Sequence, residues 1–287
     1  MVGCLATLAI ISLFAAGFGL TQYDAWNDAG QLKTDLQAER ISNLDEGWKR
    51  YQNLEKRAHL PFVLHGAHYA LKERLVYAAD RSIGEYRNSD APVVYEAQWI
   101  QARNNLARAL ELDSSDKSIR GRLRLTEGHI ERISSAGLKG VARQKRLNSA
   151  VSKFEEAADL LKHSPDPYLG LARMAVYDLN DMEKAEEYLK RAQHFGHPIG
   201  KRELSQLGDG YRKRADRMWR ESHGFAKIPG QEGDYLQKAR QDYSRAQELY
   251  QQAGLFGDGA HNQLQVIQSR DRVQQRLTEL DGGNSEQ

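Results

Sequence analysis

Residues 150–167 read AVSKFEEAADLLKHSPDP, an amphipathic helix closed by Pro165 and Pro167. Its small residues Ala150 and Ala157 flank the large Phe154 at four- and three-residue steps. Helical positions i, i+3 and i+4 share one face, so the segment presents two small side chains around one large one. Three other segments repeat this spacing: Ala102, Leu106 and Ala109; Ala185, Leu189 and Ala192; Ala239, Tyr243 and Ala246. Small residues let a neighbouring helix approach closely, and the large residue fills the space between neighbours. Each segment therefore calls for a second helix packed antiparallel and preceding it. The expected pairs span 63–112, 117–163, 167–195 and 200–253.

Composition agrees with a helical chain that buries a core. Of 287 residues, 40% are hydrophobic and 28% charged, and only 6 are proline, which argues against both disorder and turn-rich β structure. Alternating runs of β-branched residues are missing, so the fold class is read as all-α. The formal net charge is +2, which gives no global argument for a nucleic-acid partner. Cys4 is the only cysteine, so no disulfide can form within one chain.

Self-similarity at a period near 34 residues marks helical arrays. The chain resembles the tetratricopeptide repeat family, and specifically its membrane-anchored bacterial-type members. Leu204, Leu207, Gly208 and Tyr211 match the family's first-helix signature, and Tyr168, Leu171 and Ala172 match it less fully. After Ala109 the turn ELDSSDK resembles a repeat boundary, with Ser114 where the family prefers proline. The resemblance covers roughly residues 63–254. It implies a right-handed superhelix of about four antiparallel hairpins over 61–257, with a capping helix at 258–281 and a frayed tail at 282–287. The cap is expected to bury Leu264, Ile267, Val273, Leu277 and Leu280. The sequence departs from the family's spacing in three places. SAGLKGVARQK and SHGFAKIPGQEGD lengthen two turns, and the third pair carries one extra residue between its helices.

The first residues have a different character. Val2–Leu20 contains no charge, and as a helix it would span about 28 Å, close to the hydrocarbon core of a bilayer. An uncleaved anchor over 1–21 is the favoured reading; a cleaved signal segment and a larger protein lacking its upstream part are the alternatives. The flank beyond it has no basic excess, so the bulk of the chain is assigned to the extracytoplasmic, periplasmic side. Residues 22–60 read as one polar helix with apolar positions at Ile41, Leu44, Trp48, Tyr51 and Ala58, bent at Gly30 or Gly47. It is either a projecting stalk through which chains pair or a helix packed on the first repeat.

Catalytic signatures are not found: there is no GxxxxGK[ST], GxGxxG, HExxH or GxSxG. His65 and His68 lie three apart without a third ligand at a recognisable spacing, so neither metal nor cofactor is expected. His194 and His197 suit the end of a helix. Basic residues gather on YRKRADRMWRES, and the family's geometry would place Arg202, Ser205, Gln206, Asp209, Arg212 and Lys213 on the inner face of the fourth pair. The resemblance thus implies a non-enzymatic scaffold whose groove binds a partner polypeptide, by architectural analogy in envelope assembly or protein export. A sensory segment of a membrane enzyme such as a kinase is the alternative.

Overall fold

The computed structural model describes the backbone of residues 2–90, 94–223, 232–255 and 260–283, and side chains over the same ranges except 2–16, 223, 232, 260–263 and 283. Among these residues the chain is helical throughout and contains no strand. In chain order the helices are α1 (Val2–Gln37), α2 (Leu44–Arg57), α3 (Pro61–Asn88), α4 (Glu96–Leu112), α5 (Lys117–Ser134) and α6 (Gly140–Leu160). They continue with α7 (Asp166–Met174), α8 (Met182–His194), α9 (Lys201–His223), α10 (Glu232–Ala253) and α11 (Ala260–Gly283). The chain divides into two compact units, residues 1–82 with 100–123, and residues 83–99 with 124–287.

In the first unit, the single helix expected over 22–60 is corrected to two. α1 runs straight through Gly30 and ends at Gln37; the chain turns at Glu39, whose φ of 56° is left-handed. Asn43 then caps α2 by accepting a hydrogen bond from the Asp45 amide at 2.9 Å, satisfying one of the orphan donors of a helix start. The reversal puts Leu32 and Leu36 of α1, Ile41 of the turn, and Tyr51 and Leu54 of α2 into one core with Leu71 and Leu75 of α3 and Leu106 of α4. A stalk projecting into solvent could not bury that set. Gln22 fastens the far end of α1, donating to the Arg57 carbonyl at 3.1 Å and accepting from the His59 amide at 2.9 Å.

Pro61 opens α3, as suits a residue without an amide donor at a helix start. The ELDSSDK boundary is built by Asp116, which accepts from the Ser118 and Ile119 amides at the start of α5. Ala102, Leu106 and Ala109 are all at most 1% exposed.

In the second unit Phe154 occupies the centre. Its ring lies so near Gly128 on α5 and Gly170 on α7 that a Cβ at either glycine would come within 2.8 Å and 2.6 Å of it. Helix backbones approach this closely only where a side chain is missing. Ala150, Ala157, Ala185, Ala192, Ala239, Tyr243 and Ala246 are fully buried, and Leu189 is 4% exposed. Leu171, Ala172, Leu207 and Gly208 are buried too, with Tyr168, Leu204 and Tyr211 half-buried beside them. Beneath Phe154, His129 stacks on Trp99 at 4.0 Å and meets Tyr86 edge-on at 4.6 Å.

Three sequence expectations are corrected here. SAGLKGVARQK is a connection only over 135–139, and the remainder is helix α6. The extra residue of the third pair is absorbed by a π-turn, Ala175–Leu179, that extends α7 to a left-handed Asn180; one added residue per turn is what a π-turn accommodates. On α11 the buried positions are Val266, Val273, Leu277 and Leu280, whereas Leu264 is 49% and Ile267 40% exposed. The seven-residue step from Val266 to Val273 sets the buried stripe, and the helical twist turns Leu264 and Ile267 away from it. The stretch SHGFAKIPGQEGD lies mostly outside the described residues, as does the 284–287 end of the expected tail.

Candidate functional site

The polar face of the second unit is assembled from α5, α7 and α9. Arg132 comes from α5, Arg173 from α7, Tyr177 and Asp178 from the π-turn, and Asp209, Arg212 and Lys213 from α9. The π-turn decides the arrangement by bringing two consecutive polar side chains to the site. Tyr177 donates its hydroxyl to Asp209 at 3.0 Å, and Tyr250 of α10 donates to the other oxygen of the same carboxylate at 2.6 Å. Burial, reinforced by Asp209, pushes both phenols well above their ordinary value, so they remain donors. Asp178 accepts from Arg143 of α6 at 2.9 Å through one oxygen, while its buried second oxygen has no partner.

The cations of this face are unequally matched. Arg212 pairs with Asp216 at 3.0 Å. Arg173 lies 5.2 Å and exposed Lys213 4.5 Å from the centroid of the Tyr177 ring. Arg132 and Arg173 have no ion pair or side-chain hydrogen bond among the described residues, and the buried Nε atoms of Arg132, Arg173 and Arg212 are all unpartnered. Burial pushes the Arg132 guanidinium below its ordinary value. Burial also takes the His129 imidazole well below its usual range, with Arg132 and Arg173 adding to the effect. His129 is therefore neutral at pH 7.

The six α9 residues expected to line one groove are thus divided. Arg202 and Ser205 are 6% and 7% exposed and do not face a ligand. Arg202 reaches the end of α3, donating to the Tyr86 carbonyl at 2.5 Å and the Ser89 carbonyl at 2.8 Å, and it pairs with buried Glu203. Tyr86 is 116 positions away, so this is no contact between adjacent pairs. Asp209 is held by two tyrosines, Gln206 is half-buried, and Arg212 and Lys213 remain on the polar face. Elsewhere on the basic stretch, Arg214 is clamped between Asp242 and Glu183. Sequence reasoning did not select Arg132, Arg173 or Tyr177. The signal that pointed there was the extra residue of the third pair.

A second feature belongs to the first unit alone. An open groove of about 790 Å³ runs between α3 and the start of α5. Tyr69 and Tyr77, two helical turns apart on α3, are 52% and 56% exposed there. Val76 and Ile119 line its apolar part, and Glu73 stands between the tyrosines. Arg74 pairs with Glu39 at 2.6 Å and Arg122 with Asp80 at 2.7 Å, so the charged rim is largely neutralised from within.

Two of the candidate histidines have local partners. His68 Nδ1 lies 2.9 Å from the Tyr51 hydroxyl, and His197 Nε2 lies 3.3 Å from Glu203. Among the described residues no group of three metal-ligating side chains comes together. Among them, too, no helix is long and apolar enough to cross a membrane; most of the Val2–Leu20 run on which the anchor reading rests lies outside the described side chains. Comparison with protein-family models, curated proteins and solved structures returned no match.

Proposed function

We propose that the protein is a helical-repeat scaffold, of tetratricopeptide-like design, that docks a partner polypeptide. The observation that carries this reading is the α3–α5 groove with its two exposed tyrosines. Exposed aromatic side chains on rigid helices offer large contact area at small entropic cost, which is why they concentrate at protein interfaces. Ion pairs along the rim hold Arg74 and Arg122 in place, so an incoming chain meets a preorganised surface. An extended or helical peptide with apolar anchors fits a groove of this size and polarity.

The anchor proposal has its own support. At the end of the apolar run Phe18 and Leu20 are 47% and 66% exposed, and just beyond it Tyr23 and Trp26 are 57% and 58% exposed. Tyrosine and tryptophan at this position suit the boundary between lipid and water. The same reading assigns the body of the chain to the extracytoplasmic side.

The test places a photo-crosslinking amino acid at Tyr77 of the full chain in its native membrane, with Val141, 88% exposed, as the control position. A discrete adduct to another polypeptide from Tyr77 and none from Val141 supports the docking groove. Equal labelling from both positions, or from neither, removes it.

A further inference from the structure

Apart from the groove, the second unit holds a charge arrangement that its own fold does not neutralise. On the face formed by α5, α7 and α9, together with Arg143 reaching in from α6, there are five cations, Arg132, Arg143, Arg173, Arg212 and Lys213. Three acids accompany them: Asp178, Asp209 and Asp216. Asp178 is engaged by Arg143 and Asp216 by Arg212. Asp209 is the acceptor for two tyrosine hydroxyls and is 4.0 Å from Arg212. Two positive charges are left over in this count, and Arg132 and Arg173 are the guanidinium groups without an ion pair or side-chain hydrogen bond among the described residues, Arg132 feeling Asp178 through space alone.

Holding like charges close together with too little counter-charge is unfavourable, because partial burial weakens attraction to water and strengthens mutual repulsion. Folding cores avoid such pairs unless something external supplies the missing charge. The surroundings here are specific rather than incidental. The Tyr177 ring lies against Arg173 on α7 and Lys213 on α9. Neutral His129 borders Arg132. The buried Nε–H groups of Arg132, Arg173 and Arg212 have no acceptor among the described residues. Guanidinium forks match the oxygens of tetrahedral oxyanions in pairs, and a surplus of two charges matches a dianion.

We propose that Arg132 and Arg173, with Lys213, form a binding site for a phosphoryl group, the arginines contacting its oxygens and the lysine closing the open side. The site stands independently of the peptide groove in the other unit. Its phosphoryl group comes either as free phosphate or on the side chain of a bound polypeptide, and the two sources are separable by experiment.

The test uses the full chain and titrates inorganic phosphate against chloride at equal ionic strength, following both thermal unfolding and calorimetric binding. Phosphate is expected to raise the melting temperature beyond chloride, with binding weakened at least tenfold in each of Arg132→Gln, Arg173→Gln and Lys213→Gln. In phosphate-free buffer Arg132→Gln and Arg173→Gln are expected to melt at or above the wild-type temperature, since each relieves an unneutralised charge. A residue holding the fold together would show the opposite sign. Lys213 is exposed, so its variant reports on binding even if an arginine variant fails to fold. A phosphoserine peptide that binds more tightly than phosphate identifies a phosphorylated chain as the source, and equal or weaker binding identifies the free ion. Phosphate acting no differently from chloride, or an undiminished phosphate effect in the Lys213 and Arg173 variants, overturns the proposal. So does a di-acidic peptide that binds where phosphate does not.

Discussion

Replacing Gly170 by alanine tests how Phe154 joins successive helix pairs. A Cβ built at Gly170 would lie 2.6 Å from Cε1 and 2.8 Å from Cζ of the Phe154 ring, well inside ordinary van der Waals contact. The ring cannot simply slide away. A Cβ at Gly128 would meet the same edge at 2.8 Å, and His129 packs against the ring with centroids 4.9 Å apart. Overpacking of this kind costs about 1–3 kcal/mol. Against it stands the gain of roughly 0.8–1 kcal/mol from replacing glycine by alanine inside a helix. The net expectation is a loss centred on roughly 1 kcal/mol and at most about 2 kcal/mol, or on the order of 2–4 °C in melting temperature by calorimetry. Gly30→Ala on α1 is the control, because nothing lies within 4 Å of its Cβ position; there the propensity gain acts alone and the melting temperature should rise. Phe154→Leu combined with Gly170→Ala should recover part of the clash energy, giving a favourable coupling in a double-mutant cycle. If Gly170→Ala melts at or above the wild type, Phe154 is not wedged between α5 and α7 and the packing argument fails.

Ala157, fully buried, should respond in the same way: Ala157→Leu is expected to cost roughly 1–3 kcal/mol in denaturant unfolding, and an unchanged midpoint would contradict the register. At the end of α3, Arg202→Gln leaves Glu203 buried without its guanidinium, an expected loss on the order of 3–5 kcal/mol at pH 7. Burial alone would raise the Glu203 carboxyl, but its His197 hydrogen bond and Arg202 outweigh that and bring it from 4.5 down to about 2. Its folded value is depressed, so its stabilisation is complete above pH 4.5 and is lost as pH falls through about 2. In Arg202→Gln the onset of acid unfolding should move to higher pH, and an unshifted acid profile would show that the pair is not coupled. Asp209→Ala strands the Tyr177 and Tyr250 hydroxyls; two unsatisfied buried donors predict a loss of about 2–5 kcal/mol, smaller in a Tyr177→Phe, Tyr250→Phe background, and equal losses in both backgrounds would refute the shared acceptor.

The buried helical positions were legible because close packing leaves a periodic mark. Ala150, Phe154 and Ala157 recur as a spacing in three other places, and spacing survives without knowledge of partners. Gly128 and Gly170 were not legible. A helical glycine gives no sign of which ring it makes room for, and here the ring belongs to a residue 26 positions from one and 16 from the other. Arg202 misled for a related reason. As a basic residue at the start of a basic helix it suggested a face turned to ligand, but its length lets it reach the carbonyl ends of α3, and helix ends need such partners as much as ligands do. The single helix over 22–60 failed as an expectation because Gly30 and Gly47 are the visible helix breakers, whereas the chain turns at Glu39, a residue without turn chemistry of its own. The turn is imposed by burying Leu32, Leu36 and Ile41 against α3. What sequence periodicity cannot reveal is charge left without a partner, because neutralisation depends on distances between helices. Arg132 and Arg173 lie 41 positions apart on helices of adjacent pairs. Their significance emerges only when the carboxylates of that face are seen to be bonded to other groups, with Asp178 acting on Arg132 through space alone.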